Sequence, residues 1–210
     1  MESLKQISIR QFQPGDLKKV QKLFQQNLCS YKQPRALKES NFYFTKEKLK
    51  QDMGDIKTNY LDVEGANFWV AEEFSTTTTR TTVPTRIVAC VGVIPHESNC
   101  NGKCNDDDED DDLDECQTFE LVRMSVHSDY RGSGLAQDMV RTLENFVCTV
   151  CPLTCRIFLT TCSEMKPACR FYEKEGFKRG QCDTLNVRDF FPQAREGIVH
   201  LQLFEKILHI

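Results

Sequence analysis

Two hydrophobic periods follow each other along this chain. In some segments apolar and polar residues alternate, or a short apolar run is bounded by polar turns, which indicates β-strands. In others apolar residues recur every three or four positions, which indicates amphipathic helices. Strands are predicted at 5–12, 68–71, 86–94, 118–126, 155–161 and 198–204, with another starting at 177–178. Helices are predicted at about 17–29, from near 133 to 150 and at 164–175, with an irregular helix at 34–53.

Boundary residues support these elements. Asp16 is a suitable N-cap for the first helix, Pro152 ends the helix that begins near Ser133, and Gly176 follows the last one. Strands that alternate with helices predict a mixed α/β sheet rather than a sandwich or a bundle. Because 210 residues suit one domain, we expect a single domain over 1–210.

Composition excludes several classes of protein. With 40% hydrophobic and 28% charged residues the chain is ordinary for a globular protein. It has no run of about 18 apolar residues and no signal-like N-terminus, so we expect neither a membrane segment nor export. The 11 cysteines are therefore expected to be mostly reduced and buried. The cytoplasm is the expected compartment, with the nucleus as a second candidate.

The net charge of −4 hides an uneven distribution. Nine acidic residues lie between Asp106 and Glu115, and without them 27 basic residues face 22 acidic ones. Such a block of like charge predicts a disordered insertion at about 97–116, which either steers a cationic ligand or is a solvated loop without function. The mildly basic remainder suits a small anionic ligand and is too weakly charged to indicate nucleic-acid binding.

The stretch HSDYRGSGLAQDMV at 127–140 carries the strongest chemical signal. It leads from a predicted strand into a helix whose first turn has unbonded N–H groups and the positive end of the helix dipole. Gly132 and Gly134 let an anion approach the main chain, and Arg131 adds a positive charge. These features predict a pyrophosphate site. The P-loop is excluded because Leu135–Ala136 stand where Lys and Ser or Thr are needed, and the dinucleotide fingerprint lacks its third glycine.

The pattern Arg131-x-x-Gly134-x-Ala136 closely resembles the acetyl-coenzyme A loop of the GNAT superfamily of N-acetyltransferases. The preceding FELVRMSV (119–126) resembles the fourth strand of that family, and ACRFYEKEGF (168–177) resembles its A-x-x-Φ-Y-x-x-x-G-F segment. Within the superfamily, RMSVHSDYRGSGLA is similar to the camello-like branch, whose members carry a membrane segment that is not expected here. The resemblance covers about 60 residues; residues 1–95 agree only in element order.

The resemblance implies a mixed sheet of six to seven strands, splayed between strands four and five and flanked by helices. It also implies binding of acetyl-CoA as co-substrate, without a metal. Main-chain groups of Met124, Ser125 and Val126 would pair with the pantetheine arm. The pyrophosphate would be held at the turn made by Arg131, Gly132, Ser133, Gly134, Leu135 and Ala136.

The same resemblance implies roles in acetyl transfer to an amine. Glu120 matches a general-base glutamate, or it is only an edge carboxylate; a water chain could relay the proton in either case. The amide of Met124 could stabilise the negative charge on the thioester oxygen. Tyr172 matches the tyrosine that protonates the leaving thiolate, with a core tyrosine as the alternative. Met165 replaces a family asparagine, so Ser163 or a threonine of strand five would have to bond the pantetheine.

Other polar clusters receive simpler interpretations. No cysteine is assigned as nucleophile, and Cys162 and Cys169 near the site are expected to be buried thiols. The spacing in CTVCPLTC (148–155) lacks the second pair of a zinc ribbon, and the acidic insertion lacks EF-hand spacing, so no metal is predicted. His127 is expected to be a solvent-facing turn residue.

The predicted function is acetyl transfer to a primary amine, with a small amine favoured over a protein lysine or N-terminus. A non-catalytic acyl-CoA-binding module is the alternative from another class. The acceptor would lie between residues 29–60 and the segment 183–195. No nucleic-acid or membrane partner is expected, and the chain is predicted to be a monomer or homodimer.

Overall fold

A computed structural model of the chain describes residues 5–29, 35–76, 82–96, 117–151, 154–194 and 197–209. The acidic insertion predicted at 97–116 lies outside these residues. The strands are β1 (Lys5–Gln11), β2 (Asn67–Thr76), β3 (Thr82–His96), β4 (Gln117–Val126), β5 (Cys155–Cys162), β6 (Lys178–Asn186) and β7 (Ile198–Leu208). The helices are α1 (Leu17–Cys29), α2 (Arg35–Lys48), α3 (Leu135–Val150), α4 (Lys166–Lys174) and the single turn α5 (Val187–Phe190).

All seven strands form one sheet in the order β1-β2-β3-β4-β5-β7-β6. The pairings are antiparallel except for β4 with β5, which is parallel. The predicted mixed sheet, its strand number and its flanking helices are confirmed. Strands β2 and β3 are longer than the apolar runs predicted, because their outer ends are polar residues that pair with each other.

The sheet separates the core into two layers because successive side chains of a strand point to opposite faces. On one face Trp69 and Ala71 of β2 pack with the buried side of α3. On the other face Phe68 and Val70 pack with α1 and the segment that follows α2. The helices are therefore amphipathic in the way the period of their apolar residues predicts, although Val150 at the end of α3 is 39% exposed.

The parallel pairing of β4 with β5 is short. It begins at Gln117 opposite Cys155 and ends at Glu120 opposite Phe158. Both strands continue beyond this point, to Val126 and Cys162, without pairing to each other. The sheet thus splits in the middle, as expected for the predicted splay.

A buried ionic cluster fastens the start of the chain to the sheet. The Arg10 guanidinium donates to Asp16 at 2.6 Å and to Glu72 of β2 at 2.8 Å, and both carboxylates are almost fully buried. Asp16 was expected to cap α1, but it ends a 3-10 turn (Pro14–Asp16) and accepts from the Gln13 amide. Burial alone would raise the pKa of Asp16, yet these hydrogen bonds outweigh it and hold the pKa below its ordinary value.

None of the helices in the described residues is both long and apolar enough to span a bilayer.

Replacing Asp16 with Asn should lower the free energy of unfolding at pH 7 by about 1–3 kcal/mol, because the partly buried Arg10 loses one of its two charged partners. An Asp with a lowered pKa stabilises the fold above the pKa of the unfolded chain and loses this effect as pH falls through the folded pKa. The difference between variant and wild type in urea unfolding should therefore shrink in acid. Asp62→Asn is the control, because its pair with Lys57 is exposed and should contribute less than about 1 kcal/mol. Equal effects of the two substitutions would contradict the assignment.

Candidate active site

The split between β4 and β5 opens into a cavity of about 790 Å³. Glu120 of β4 and Tyr172 of α4 both line it, although 52 positions separate them in sequence. Of the residues predicted to bind the coenzyme, those that also line the cavity are Met124, Val126, Arg131, Gly132 and Ala136. The cavity therefore brings the two predicted catalytic side chains together with part of the predicted coenzyme site.

The glycine turn, residues 131–134, lies at the N-terminus of α3. Gly132 and Gly134 have φ angles of +79° and +90°, a region that residues with a Cβ rarely adopt. A Cβ added at either position would meet no atom within 4 Å, so the space in front of the main chain is open. Gly134 is the N-cap of α3, whose first N–H groups have no partner within the helix. An open, positively polarised turn of this kind fits a pyrophosphate group.

The side chains of Arg131 and Ser133 hold this turn in place. The Arg131 guanidinium donates to Asn27 Oδ1 of α1 and, at 3.4 Å, to the Val126 carbonyl of β4. The Ser133 hydroxyl donates to the Tyr130 carbonyl at 2.7 Å. Ser133 and Gly134 lie at the exposed surface of the turn, whereas the Leu135 side chain is buried in the core and only its main chain is available to a ligand.

A second contact network fixes the residues that precede the turn. Tyr130 donates a hydrogen bond to Glu73 of β2, and the Arg86 guanidinium donates to the other oxygen of Glu73 at 2.8 Å. Arg86 also donates to Asp129 at 3.2 Å and lies over the Tyr130 ring. Because Glu73 is buried, this network rigidly connects the turn to the middle of the sheet. The sequence gives no sign of it, since its members are spread over 58 positions.

Glu120 is half-buried at the last position where β4 pairs with β5. Burial raises the pKa of its carboxyl above the ordinary value, although the positive charges of Arg123 and Lys48 act in the opposite direction. A raised carboxyl pKa is typical of a group that exchanges protons near neutral pH. The position and the environment of Glu120 are therefore suited to a general base.

Tyr172 is 7% exposed and packs within an aromatic cluster. Its ring contacts Phe171, Phe177 and Phe204 at centroid distances of 5.2 to 5.8 Å. These contacts hold the residue rigidly in the cavity wall. This placement is compatible with both roles considered for Tyr172, that of a catalytic acid and that of a core residue.

Beside Glu120 lies an ion pair that the sequence analysis missed. The Arg123 guanidinium donates to both oxygens of Asp52, at 2.7 and 3.2 Å, and Tyr60 donates to the same carboxylate. Arg123 has a φ of +56° at an irregularity where β4 slips its register against β3. Such strain in a non-glycine residue costs about 1–3 kcal/mol and persists only where the surroundings impose it. No local pattern pairs Arg123 with Asp52, which lies 71 positions earlier.

The remaining predicted residues lie at several places around the site. Ser125 is 1% exposed and pairs across to Cys90 of β3, so only its main chain is a candidate for coenzyme binding. Met165, Thr160 and Thr161 line the cavity, and Ser163 is not among its lining residues. Of the two alternatives to the missing asparagine, the threonines of β5 are therefore the better placed.

Cys169 is buried as expected, whereas Cys162 and His127 are both only partly exposed. Cys162 lies in the cavity wall, where burial raises the pKa of its thiol to about 12. Within the described part of the chain no three metal-ligating side chains converge. His127 accepts a hydrogen bond from the Asp129 amide at 3.3 Å and caps the short 3-10 turn before the glycine turn.

The two segments expected to hold the acceptor do meet at the cavity. The first contributes α2, through Ser40, Asn41, Phe44 and Lys48. The second is not a loop throughout, because residues 183–186 complete β6 by pairing with β7, and α5 follows directly. Its contribution to the cavity consists of Leu185, Val187, Phe190 and Phe191.

A sheet that splits after a short parallel pairing, with a glycine turn and a helix N-terminus at the split, defines the acyl-CoA N-acyltransferase fold. The sequence profile of the acetyltransferase (GNAT) domain matches residues 64–179, from the end of the segment before β2 to the start of β6. The chain belongs to the GNAT acetyltransferase family.

Curated relatives share part of the chain. N-acetyltransferase 8 of Rattus norvegicus is 33% identical over 98 residues, which cover 47% of this chain and 34% of the relative. Human N-acetylaspartate synthetase is 27% identical over 191 residues, which cover 82% and 53%. The probable N-acetyltransferase camello of Xenopus tropicalis is 29% identical over 142 residues, which cover 65% and 50%. The chain thus matches only about a third to a half of the length of these relatives.

Solved structures of the family share the fold across the whole chain. NAA60 of Arabidopsis thaliana in complex with acetyl-CoA superposes with a TM-score of 0.59 at 15% identity, covering 97% of this chain and 99% of that one. A GNAT acetyltransferase of Staphylococcus aureus Mu50 gives a TM-score of 0.59 at 16% identity, with the same coverage. At these identities the likeness concerns the fold alone.

Replacing Gly134 with Ala should weaken acetyl-CoA binding by about tenfold. A Cβ is strained at a φ of +90°, so the turn must shift and its N–H groups lose their alignment. Isothermal titration calorimetry measures the effect. Gly15→Ala is the matched control, because Gly15 lies in another turn, has no positive φ and leaves open space for a Cβ. Unchanged affinity in Gly134→Ala would remove the turn from the coenzyme site.

Proposed function

We propose that this chain transfers the acetyl group of acetyl-CoA to a primary amine, and that the acceptor is a small molecule. The observation that carries the proposal is the single cavity lined by Glu120, by Tyr172 and by the glycine turn. These are the groups that acetyl transfer needs: a base for the amine, an acid for the leaving thiolate and a site for the pyrophosphate.

The coenzyme would be held mainly by the main chain. The turn from Arg131 to Ala136 offers N–H groups to the pyrophosphate. The pantetheine arm would pair with the edge of β4 between Met124 and Val126, which faces the split. Thr160 and Thr161 on the other side of the split are available for a side-chain hydrogen bond. Acetyl-CoA supplies the activated thioester when bound.

Glu120 would act on the acceptor amine. Free amines of the lysine type have a pKa of about 10.4 and are almost wholly protonated at neutral pH. Glu120, with its raised pKa, accepts the proton directly or through water, and the nitrogen then forms a bond to the acetyl carbon. The Met124 amide is the candidate donor to the oxygen that gains negative charge.

Tyr172 would complete the transfer. The bond between the acetyl carbon and sulfur breaks, and the hydroxyl proton of Tyr172 goes to the leaving thiolate, whose conjugate acid has a pKa of about 8.5. The second proton that the nitrogen loses as the amide forms restores the Tyr172 hydroxyl. Its rigid aromatic surroundings favour this role, because a proton donor acts efficiently only when it is held in place.

Two observations support a small acceptor. The human relative that aligns with 82% of this chain is named for the synthesis of N-acetylaspartate, the acetylated form of a small amine. In addition, α2 and α5 both line the cavity, and the Tyr43 ring of α2 stacks on Phe191 directly after α5 at 5.9 Å. This contact joins the two segments that border the acceptor side of the cavity, which favours a small acceptor over a polypeptide.

Replacing Glu120 with Gln should lower kcat/KM about 10²–10⁴-fold at neutral pH. In the wild type, kcat/KM should rise with pH as Glu120 loses its proton, at a pH above the ordinary glutamate pKa of about 4.3. This rise should disappear in Glu120→Gln, leaving only the increase that follows the amine itself. Glu205→Gln is the control, because Glu205 makes an exposed ion pair with Arg156 and does not line the cavity. A pH profile shared by all three proteins would exclude Glu120 as the base.

Replacing Tyr172 with Phe should lower kcat by at least about 10²-fold while the acetyl-CoA Kd remains within about twofold, since only the proton donor is lost. Glu205→Gln is again the control, because Glu205 makes an exposed ion pair and does not line the cavity. The acetylated amine should be measured by mass spectrometry, because exposed Cys182 would react with thiol reagents. Firm coenzyme binding without turnover of any amine would instead support the non-catalytic acyl-CoA-binding module.

A further inference from the structure

The acceptor side of the cavity is lined by the polar residues Ser40, Asn41 and Lys48 of α2 and by a larger group of apolar side chains. The apolar side chains come from α2, β6, α5 and β7, and they are Phe44, Leu185, Val187, Phe191, Val199 and Leu201. We call these six residues the apolar wall. Val187 and Val199 are at most 4% exposed and belong to a small core cluster of their own. The wall is thus a packed part of the fold rather than a set of loose surface residues.

The apolar wall is also held in position before any ligand binds. Phe191 stacks on Tyr43 of α2, and the Tyr43 hydroxyl donates to the Gln193 carbonyl at 3.3 Å. Phe44 lies under the Arg123 guanidinium, which the Asp52 ion pair fixes. An apolar ligand that covers a preformed apolar surface gains binding free energy, whereas a hydrated ligand gains none.

One large aromatic residue extends this surface toward solvent. Phe190 lines the cavity and is 60% exposed. An apolar part of a ligand that reached beyond the apolar wall would cover Phe190 and remove both surfaces from water. The cavity therefore offers apolar contact from its interior to its opening.

The charges of the cavity restrict the acceptor further. Among the described residues that line it, Glu120 is the one carboxylate, whereas Lys48, Arg123 and Arg131 are cations. Asp52 neutralises Arg123 but does not line this cavity. A second positive charge on the acceptor would find no second carboxylate among the described residues that line the cavity. A dication is therefore disfavoured relative to a monoamine of the same size.

We propose that the acceptor is a primary monoamine with an apolar aliphatic or aromatic body, bound with its nitrogen at Glu120 and its body against the apolar wall. This inference rests on the proposed acetyl transfer and specifies its substrate class. Polyamines and lysine-containing peptides are excluded as preferred acceptors, because each carries its amine on a charged or strongly hydrated body.

A series of amines tests the inference on the intact chain. From propylamine to hexylamine, kcat/KM should rise about fourfold for each added methylene until the apolar wall is covered. Hexylamine and 1,5-diaminopentane have the same length, but hexylamine ends in a methyl group and 1,5-diaminopentane ends in a second ammonium group. Hexylamine should be preferred at least tenfold.

Two variants locate this selectivity. Phe190→Glu places a carboxylate at the opening of the cavity and should reduce the preference for hexylamine over 1,5-diaminopentane at least fivefold. Ile198→Glu is the matched control, because Ile198 is equally exposed at 60%, lies at the start of β7 and does not line the cavity. Its preference should equal that of the wild type. Circular dichroism and acetyl-CoA titration establish that both variants are folded.

The outcomes separate this inference from the proposed function. Equal or faster acetylation of 1,5-diaminopentane, or of a lysine peptide, would overturn the inference and leave acetyl transfer standing. A preference for hexylamine that Phe190→Glu leaves unchanged would overturn the assignment to this side of the cavity. Absence of product with every amine, despite coenzyme binding, would overturn the proposed function and the inference together.

Discussion

The interruption of the parallel pairing between β4 and β5 is the constraint on which the site depends. Four residue pairs join the two strands, and after Glu120 and Phe158 they diverge. The divergence leaves main-chain groups of β4 facing a cavity instead of a neighbouring strand, which is where an extended ligand can add to a sheet. Glu120 stands at the point of divergence and is therefore both part of the sheet and part of the cavity.

Buried ionic networks keep this open arrangement rigid. Asp52 and Tyr60 hold the strained Arg123 on the side of β4 that faces α2. Glu73 and Arg86 hold the turn before α3. A split sheet has fewer ladder hydrogen bonds at its centre, so side-chain contacts must fix the strands there. Buried charges serve this purpose because their geometry is specific, although their net contribution to stability is small.

Burial underlies both the chemistry and the acceptor selectivity that we propose for the cavity. Burial raises the pKa of Glu120. On the acceptor side, the same cavity is lined by the apolar residues Phe44, Val187 and Phe191. A base in such surroundings takes a proton more readily than an exposed carboxylate, and an apolar cavity rejects additional charge. In the proposed function, proton transfer and choice of acceptor thus have a common physical origin.

The sequence by itself indicated the period of most strands and helices, because that period is local to each segment. The stretches between 118 and 177 also carried the glycine turn and, through the family resemblance, the candidate pair Glu120 and Tyr172. The tertiary structure decided which distant side chains contact these segments. Asp52 reaches Arg123 across 71 positions, and Phe44 and Phe191 line the same cavity although they are far apart in sequence. Side-chain partners of this kind depend on which faces of distant elements pack together, and no periodicity or turn residue records that choice.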